Sequence, residues 1–246
     1  MGFPPVLPED IHERAKIFNA MLVQLQQSLP PTDPGIKTRD EKINPNVTVR
    51  IYTPPTATGK LPLILFLHGG GFHAGNLDTE DHLCRYMCAN TPSIVVSVEY
   101  RQCLTHKFPV PIDDCYDAYR WAYENAAKLG ADPGKCIVTG GSAGGGAAIA
   151  VVQRLVQHGE KVAGLVALSP MSLHPDACPE AYRAKHTAYV ENSGPIPVVN
   201  AEDAKTAFGM LGEEGAPPAY ENGEWFPQTQ SSEAFRGFPR TVWMLG

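Results

Sequence analysis

Two glycine-rich segments carry the groups in this chain that could do chemistry. The first is Thr139-Gly140-Gly141-Ser142-Ala143-Gly144-Gly145-Gly146, a G-x-S-x-G pattern that follows an apolar strand-like run and opens an Ala/Val-rich helical one. A chain that turns from strand to helix at one residue strains that residue, and only small neighbours such as Gly140 and Gly144 clear the space around it. Ser142 would then project alone, at a helix amino terminus where unpaired N–H groups and the positive end of the dipole favour developing negative charge. A flexible linker would not lie between a strand and a helix, and the stretch matches neither G-x-x-x-x-G-K-[ST] nor G-x-G-x-x-G, so a phosphate loop fits no better. The residue types point to a serine nucleophile.

The second segment is His68-Gly69-Gly70-Gly71-Phe72, directly after another apolar run. A glycine run there lets backbone N–H groups approach a ligand with no side chain between. With the N–H of Ala143, the amides of Gly69, Gly70 and Gly71 would give a tetrahedral acyl intermediate its preorganised donors; which two of the three glycines donate stays open. His68 itself reads as a structural hydrogen-bonding residue, and Tyr100-Arg101, past a strand end, as anchors of the adjoining loop. His82, Cys84 and Cys88 share a helical face without zinc-knuckle or H-E-x-x-H spacing, so helix packing is expected there. No metal and no cofactor is expected.

The elements that must position these groups follow from hydrophobic periodicity. Apolar or alternating runs at Val47–Tyr52, Leu61–Leu67, Ile94–Val98, Cys136–Thr139, Val162–Leu168 and Thr241–Leu245 predict strands. Helical patterns occupy residues 10–28, with a stripe of Ile11, Phe18, Leu22 and Leu25, and then Thr79–Ala89, Ile112–Leu129 and Gly144–His158. Short apolar strands alternating with helices imply a mostly parallel sheet covered on both faces, an α/β fold. From Ser169 to Pro239 the alternation lapses, with weak helical patches at Cys178–Val190 and Ala201–Met210. A structureless loop that long is foreign to a compact domain, so a small helical insertion over one end of the sheet is expected.

Composition narrows the class. The chain has 246 residues, 43% hydrophobic and 19% charged, with 23 Gly and 23 Pro: globular, and frequently interrupted by turns. A net charge of −6 leaves no basic field for a phosphate backbone, so no nucleic-acid partner is expected. Met1–Asp10 has neither the basic nor the apolar region of a secretory signal, and no run approaches the roughly 18 apolar residues of a membrane span. Cys84, Cys88, Cys103, Cys115, Cys136 and Cys178 therefore read as free thiols of a cytoplasmic protein, and the Asn46-Val47-Thr48 sequon as unused.

These residues together resemble the hormone-sensitive-lipase-like branch of the α/β-hydrolase fold, a carboxylesterase family. The likeness rests on His68–Gly71, Tyr100-Arg101 with His106-Lys107-Phe108-Pro109, Asp113-Asp114 before the Tyr119–Trp121 helix, and Gly140–Gly145. It covers residues 45–170 well and the remainder loosely. It implies a single hydrolase domain over 1–246, with residues 1–40 as an amino-terminal helical cap element and 170–239 as a cap insertion. The Ile11–Leu25 stripe, otherwise simple core, gains a second use in that cap. The family's serine motif usually reads G-D-S-A-G-G, so Gly141 removes a local polar contact.

In this fold the acid and the histidine follow the serine in chain order, and the resemblance makes Thr241–Leu245 the strand whose following loop carries the acid. The acid, the histidine and the last strand and helices are therefore expected beyond Gly246, leaving the 246 residues nearly inactive by themselves. Within the chain, substitutes after Ser142 would come from His158, His174, His186, Asp176 and Asp203. His158 reads as a helix cap and the other two histidines as surface residues, His174 being the foremost substitute. The expected function is acyl-enzyme hydrolysis of small carboxylic esters; the alternative is a catalytically incomplete protein that binds a small organic ligand. A protein ending at Gly246 would be expected either to dimerise through the uncovered Thr241–Leu245 edge or to aggregate, whereas a longer parent need do neither.

Overall fold

A computed structural model describes residues 8, 10–56, 59–194, 200–212, 223, 225–226, 229 and 232–244. Met1–Leu7, Glu9, Ala57, Thr58, parts of 195–231, and Leu245 with Gly246 lie outside the described residues. Chain order runs α1 (Ile11–Gln26), β1 (Lys37–Lys42), β2 (Thr48–Thr53), β3 (Leu61–Leu67), α2 (Asp81–Asn90), β4 (Ile94–Glu99), α3 (Val110–Glu124) and α4 (Ala126–Leu129). It continues through β5 (Ala131–Gly141), α5 (Ala143–Gln157), β6 (Gly164–Leu168), α6 (Glu180–Arg183), α7 (Ala188–Glu191), α8 (Ala201–Gly209) and β7 (Arg240–Met244).

The strands form one sheet in the order β1-β2-β4-β3-β5-β6-β7. The pairs β1–β2 and β2–β4 are antiparallel and the rest parallel, as the strand-helix alternation requires. Along β3 the alternation of side chains splits the core in two. Leu63, Leu65 and Leu67 join Val96, Val138 and the apolar faces of α3 and α5, while Ile64 and Phe66 meet Cys84 and Cys88 of α2 on the opposite face. That packing is the role expected for the two cysteines, and the third member of their face, His82, bonds through Nε2 to the Pro30 carbonyl at 2.8 Å. All six cysteines are unpaired and buried.

Several boundaries moved for physical reasons. Lys37–Lys42 is a strand, not part of a helical cap element, and its sequence KTRDEK has no apolar alternation to announce it. Pairing specifies it: Asp40 faces Arg50 across the ladder and binds its Nε at 2.7 Å. The 112–129 helix breaks at Asn125, and the 178–190 patch resolves into the two short helices α6 and α7. Among the described residues no helix is long and apolar enough to cross a membrane.

Candidate active site

Ser142 sits between the carboxyl end of β5 and the first turn of α5 at φ 53°, ψ −119°, a conformation an L residue adopts only where its surroundings enforce it. The surroundings do so through the backbone. The Ser142 N–H donates to the Leu168 carbonyl at 2.9 Å, and the Ser142 carbonyl accepts from Met171 at 2.9 Å and Gly146 at 3.1 Å. Gly144 permits the turn: a Cβ there would lie 2.0 Å from the Leu67 carbonyl oxygen, so no side chain fits.

The glycine segment leaves β3 directly beside this turn, since β3 and β5 are neighbours with Leu67 opposite Gly140. Its path is pinned from several sides. The His68 ring stacks on Tyr100 at 4.3 Å, the Tyr100 hydroxyl donates to the His68 carbonyl at 2.8 Å, and Gly70 takes φ +125° where a Cβ would strike the Ala74 carbonyl. Burial pushes the His68 imidazole down to about 4, so it is neutral near pH 7, as a structural residue should be. Arg101 anchors the next loop through a fork onto buried Asp114, at 2.8 and 2.7 Å.

The amides separate into two groups. The Gly69 N–H donates to Glu80 Oε2 at 2.6 Å. Among the described residues the Gly70, Gly71 and Ala143 amides donate to no protein acceptor. Glu80 escaped the sequence reading because an acid just before a helix looks like an ordinary first-turn charge. Burial holds its carboxyl above the usual range, partly offset by the Gly69 amide.

Ser142 and the three glycines open onto a cavity of about 370 Å³. Ile11, Phe18 and Leu22 of α1 line it together with Leu168, Met171 and Ala207, so the stripe serves the cavity rather than the core. Leu25 is exposed and stands apart. Arg14 of α1 pairs with Asp203 of α8 at 2.6 Å, and both residues line the cavity.

Of the substitute acids and bases, only Asp203 lines the cavity, and Arg14 already holds it. His158 ends α5 as expected and bonds the Tyr116 hydroxyl. His174 is buried, not a surface residue: its Nδ1 accepts the Asp176 N–H at 3.1 Å and its ring meets the edge of Phe208. His186 is half-buried against Tyr189. Among the described residues no cluster of metal-ligating residues occurs.

Comparison with known proteins agrees with this geometry, residues 64–243 matching the α/β-hydrolase fold family. This chain belongs to the α/β-hydrolase family. It is 34% identical over 204 residues to a versiconal hemiacetal acetate esterase of Dothistroma septosporum, covering 80% of this chain and 62% of that protein. It is 44% identical over 108 residues to the carboxylesterase NlhH of Mycobacterium tuberculosis, covering 44% and 34% of the respective chains. Among solved structures, a Pyrobaculum calidifontis esterase superposes with a TM-score of 0.80 at 29% identity, over 98% of this chain and 75% of that one. The chain thus spans less than two thirds of the length of these curated relatives.

Proposed function

We propose that this hydrolase acts on small carboxylic esters through an acyl-enzyme on Ser142. The observation that carries the reading is the strained Ser142 turn sharing one cavity with Gly70 and Gly71, whose amides, like that of the adjacent Ala143, meet no protein acceptor among the described residues. The Ser142 oxygen attacks the ester carbonyl carbon; the carbonyl electron pair moves to oxygen, where those amides receive the charge. Collapse expels the alcohol and leaves the acyl group on Ser142, and water then attacks the same carbon and releases the acid. An imidazole must take the serine proton and give it to the leaving alcohol, with an acid to orient it, and in this fold both follow the nucleophile in chain order. The largely apolar walls and the cavity volume favour short acyl or small aromatic groups. The three relatives compared above are all esterases, which supports the same class. Six unpaired cysteines accord with a reducing, cytoplasmic setting.

The test is labelling with an organophosphonate followed by peptide mapping, in a polypeptide that continues past β7. Label is expected on Ser142 and absent from Ser142→Ala. Label persisting in Ser142→Ala would move the nucleophile elsewhere, and tight ester binding with neither label nor turnover would make this a ligand-binding protein.

A further inference from the structure

Resting on that reading, we propose that Glu80 is the positioning residue of the oxyanion loop: it holds the Gly69 amide and thereby aims the Gly70 and Gly71 amides at the carbonyl oxygen of an ester on Ser142. The loop needs such an anchor. Gly69 lies past the last ladder pair of β3, Leu67 with Val98 and Gly140, so no neighbouring strand takes its N–H. Glu80, eleven residues on and just before α2, reaches back and accepts it at 2.6 Å, a short, charge-assisted bond.

Its place is specific to the nucleophile as well. A Cβ on Gly69 would lie 3.6 Å from Ser142 Cβ and 3.7 Å from Glu80 Oε2, and a Cβ on Gly141 would lie 3.8 Å from Glu80 Oε1. The carboxylate therefore stands between the two glycine segments, with one oxygen on each. An acid at 141 would thrust a second carboxylate against it. The departure at Gly141 accordingly does not strip the site of a carboxylate; another element supplies it. Burial raises the Glu80 carboxyl and the Gly69 amide offsets it, while burial first, with the Glu80 charge adding to it, pushes up Cys84 of α2 and Tyr100 past β4. The other titratable groups in the cavity are His73, bonded to the Gly71 carbonyl, and the Arg14–Asp203 pair. A half-buried carboxylate with only an amide to offset it works against folding, so its use lies at the site.

The test uses Glu80→Gln, Glu80→Ala, and Gly141→Asp in the native and the Glu80→Ala backgrounds. The first readout needs no turnover: in ¹H–¹⁵N spectra the Gly69 amide proton should lie downfield and move upfield as pH falls through a midpoint above the ordinary Glu value, and both Glu80 variants should abolish the movement. The second is kinetic, in the polypeptide that continues past β7: Glu80→Ala should lower kcat on p-nitrophenyl butyrate about 10- to 100-fold, less than removal of an oxyanion donor, with KM changed less than about threefold. Gly141→Asp should slow the native protein and speed Glu80→Ala. Glu80→Gln should raise Tm near neutral pH, because a carboxyl whose folded pKa is raised loses stability as pH rises through it; a merely structural Glu80 would give a lower Tm. An unchanged kcat, or a Gly141→Asp effect of the same sign in both backgrounds, overturns the proposal with Ser142 labelling intact. A Gly69 amide that titrates in a protein whose Ser142 takes no label overturns instead the esterase reading on which this one rests.

Discussion

His68 shows how a single side chain can serve a site without touching substrate. It is fully buried, stacked flat on Tyr100, and bonded at Nδ1 to the Gly69 carbonyl, so it sets the start of the glycine loop. Burial depresses its folded pKa from 6.5 to about 4. The neutral ring is the folded form, so its contribution is complete above the unfolded pKa and is lost as pH falls from about 6.5 towards 4. The drop should approach about 3 kcal/mol from this residue alone. Denaturant unfolding at pH 7 and pH 4.5 should show that slope, and His68→Gln, less stable at pH 7, should flatten it; an equal slope in the variant would assign the acid sensitivity elsewhere. His68 was legible as structural because it opens a glycine run after a strand. His174 was not, since its burial depends on Phe208, far along the chain.

At the scale of elements, α1 is the instructive case. Its register was readable from Ile11, Phe18 and Leu22, and Asp10 caps its start by accepting the Glu13 N–H at 2.8 Å. What the stripe covers was decided by α8 and by the Arg14–Asp203 clasp, which turn an ordinary amphipathic face into the roof of a cavity. Phe18→Ala should therefore disturb binding more than folding. A rise in KM of about tenfold for a hexanoate ester is expected, with kcat nearly constant, because the lost contact is the same in ground and transition states. A comparable loss of Tm without a KM change would return Phe18 to the core. The strand β1 carries the complementary lesson: five of its six residues are exposed, and pairing alone makes it a strand.

For the whole molecule, the sheet is sealed at neither end alike. The β1 end is charged along its length, whereas β7 leaves Val242, Trp243 and Met244 about half exposed beyond β6. An apolar edge with unpaired backbone groups is a template for a second strand. A polypeptide of residues 1–246 should thus gain mass with concentration in static light scattering, and the double substitution Trp243→Lys, Met244→Lys should hold it monomeric. A native polypeptide that stays monomeric across the same range would show that this edge does not drive association.

Local chemistry determined what could be read without a structure. A serine flanked by glycines between a strand and a helix, a glycine run after a buried strand, and the two-residue and helical periodicities all act over a few residues, so the tight serine turn, the glycine loop beside it and the α/β class were legible. The tertiary structure decided the rest, because it depends on distant partners. It brought Glu80 onto the Gly69 amide, closed Arg14 on Asp203, made a strand of Lys37–Lys42, and buried His174. Charged residues carry no periodic signal of their own, and each acquires its role only from the group the fold places against it.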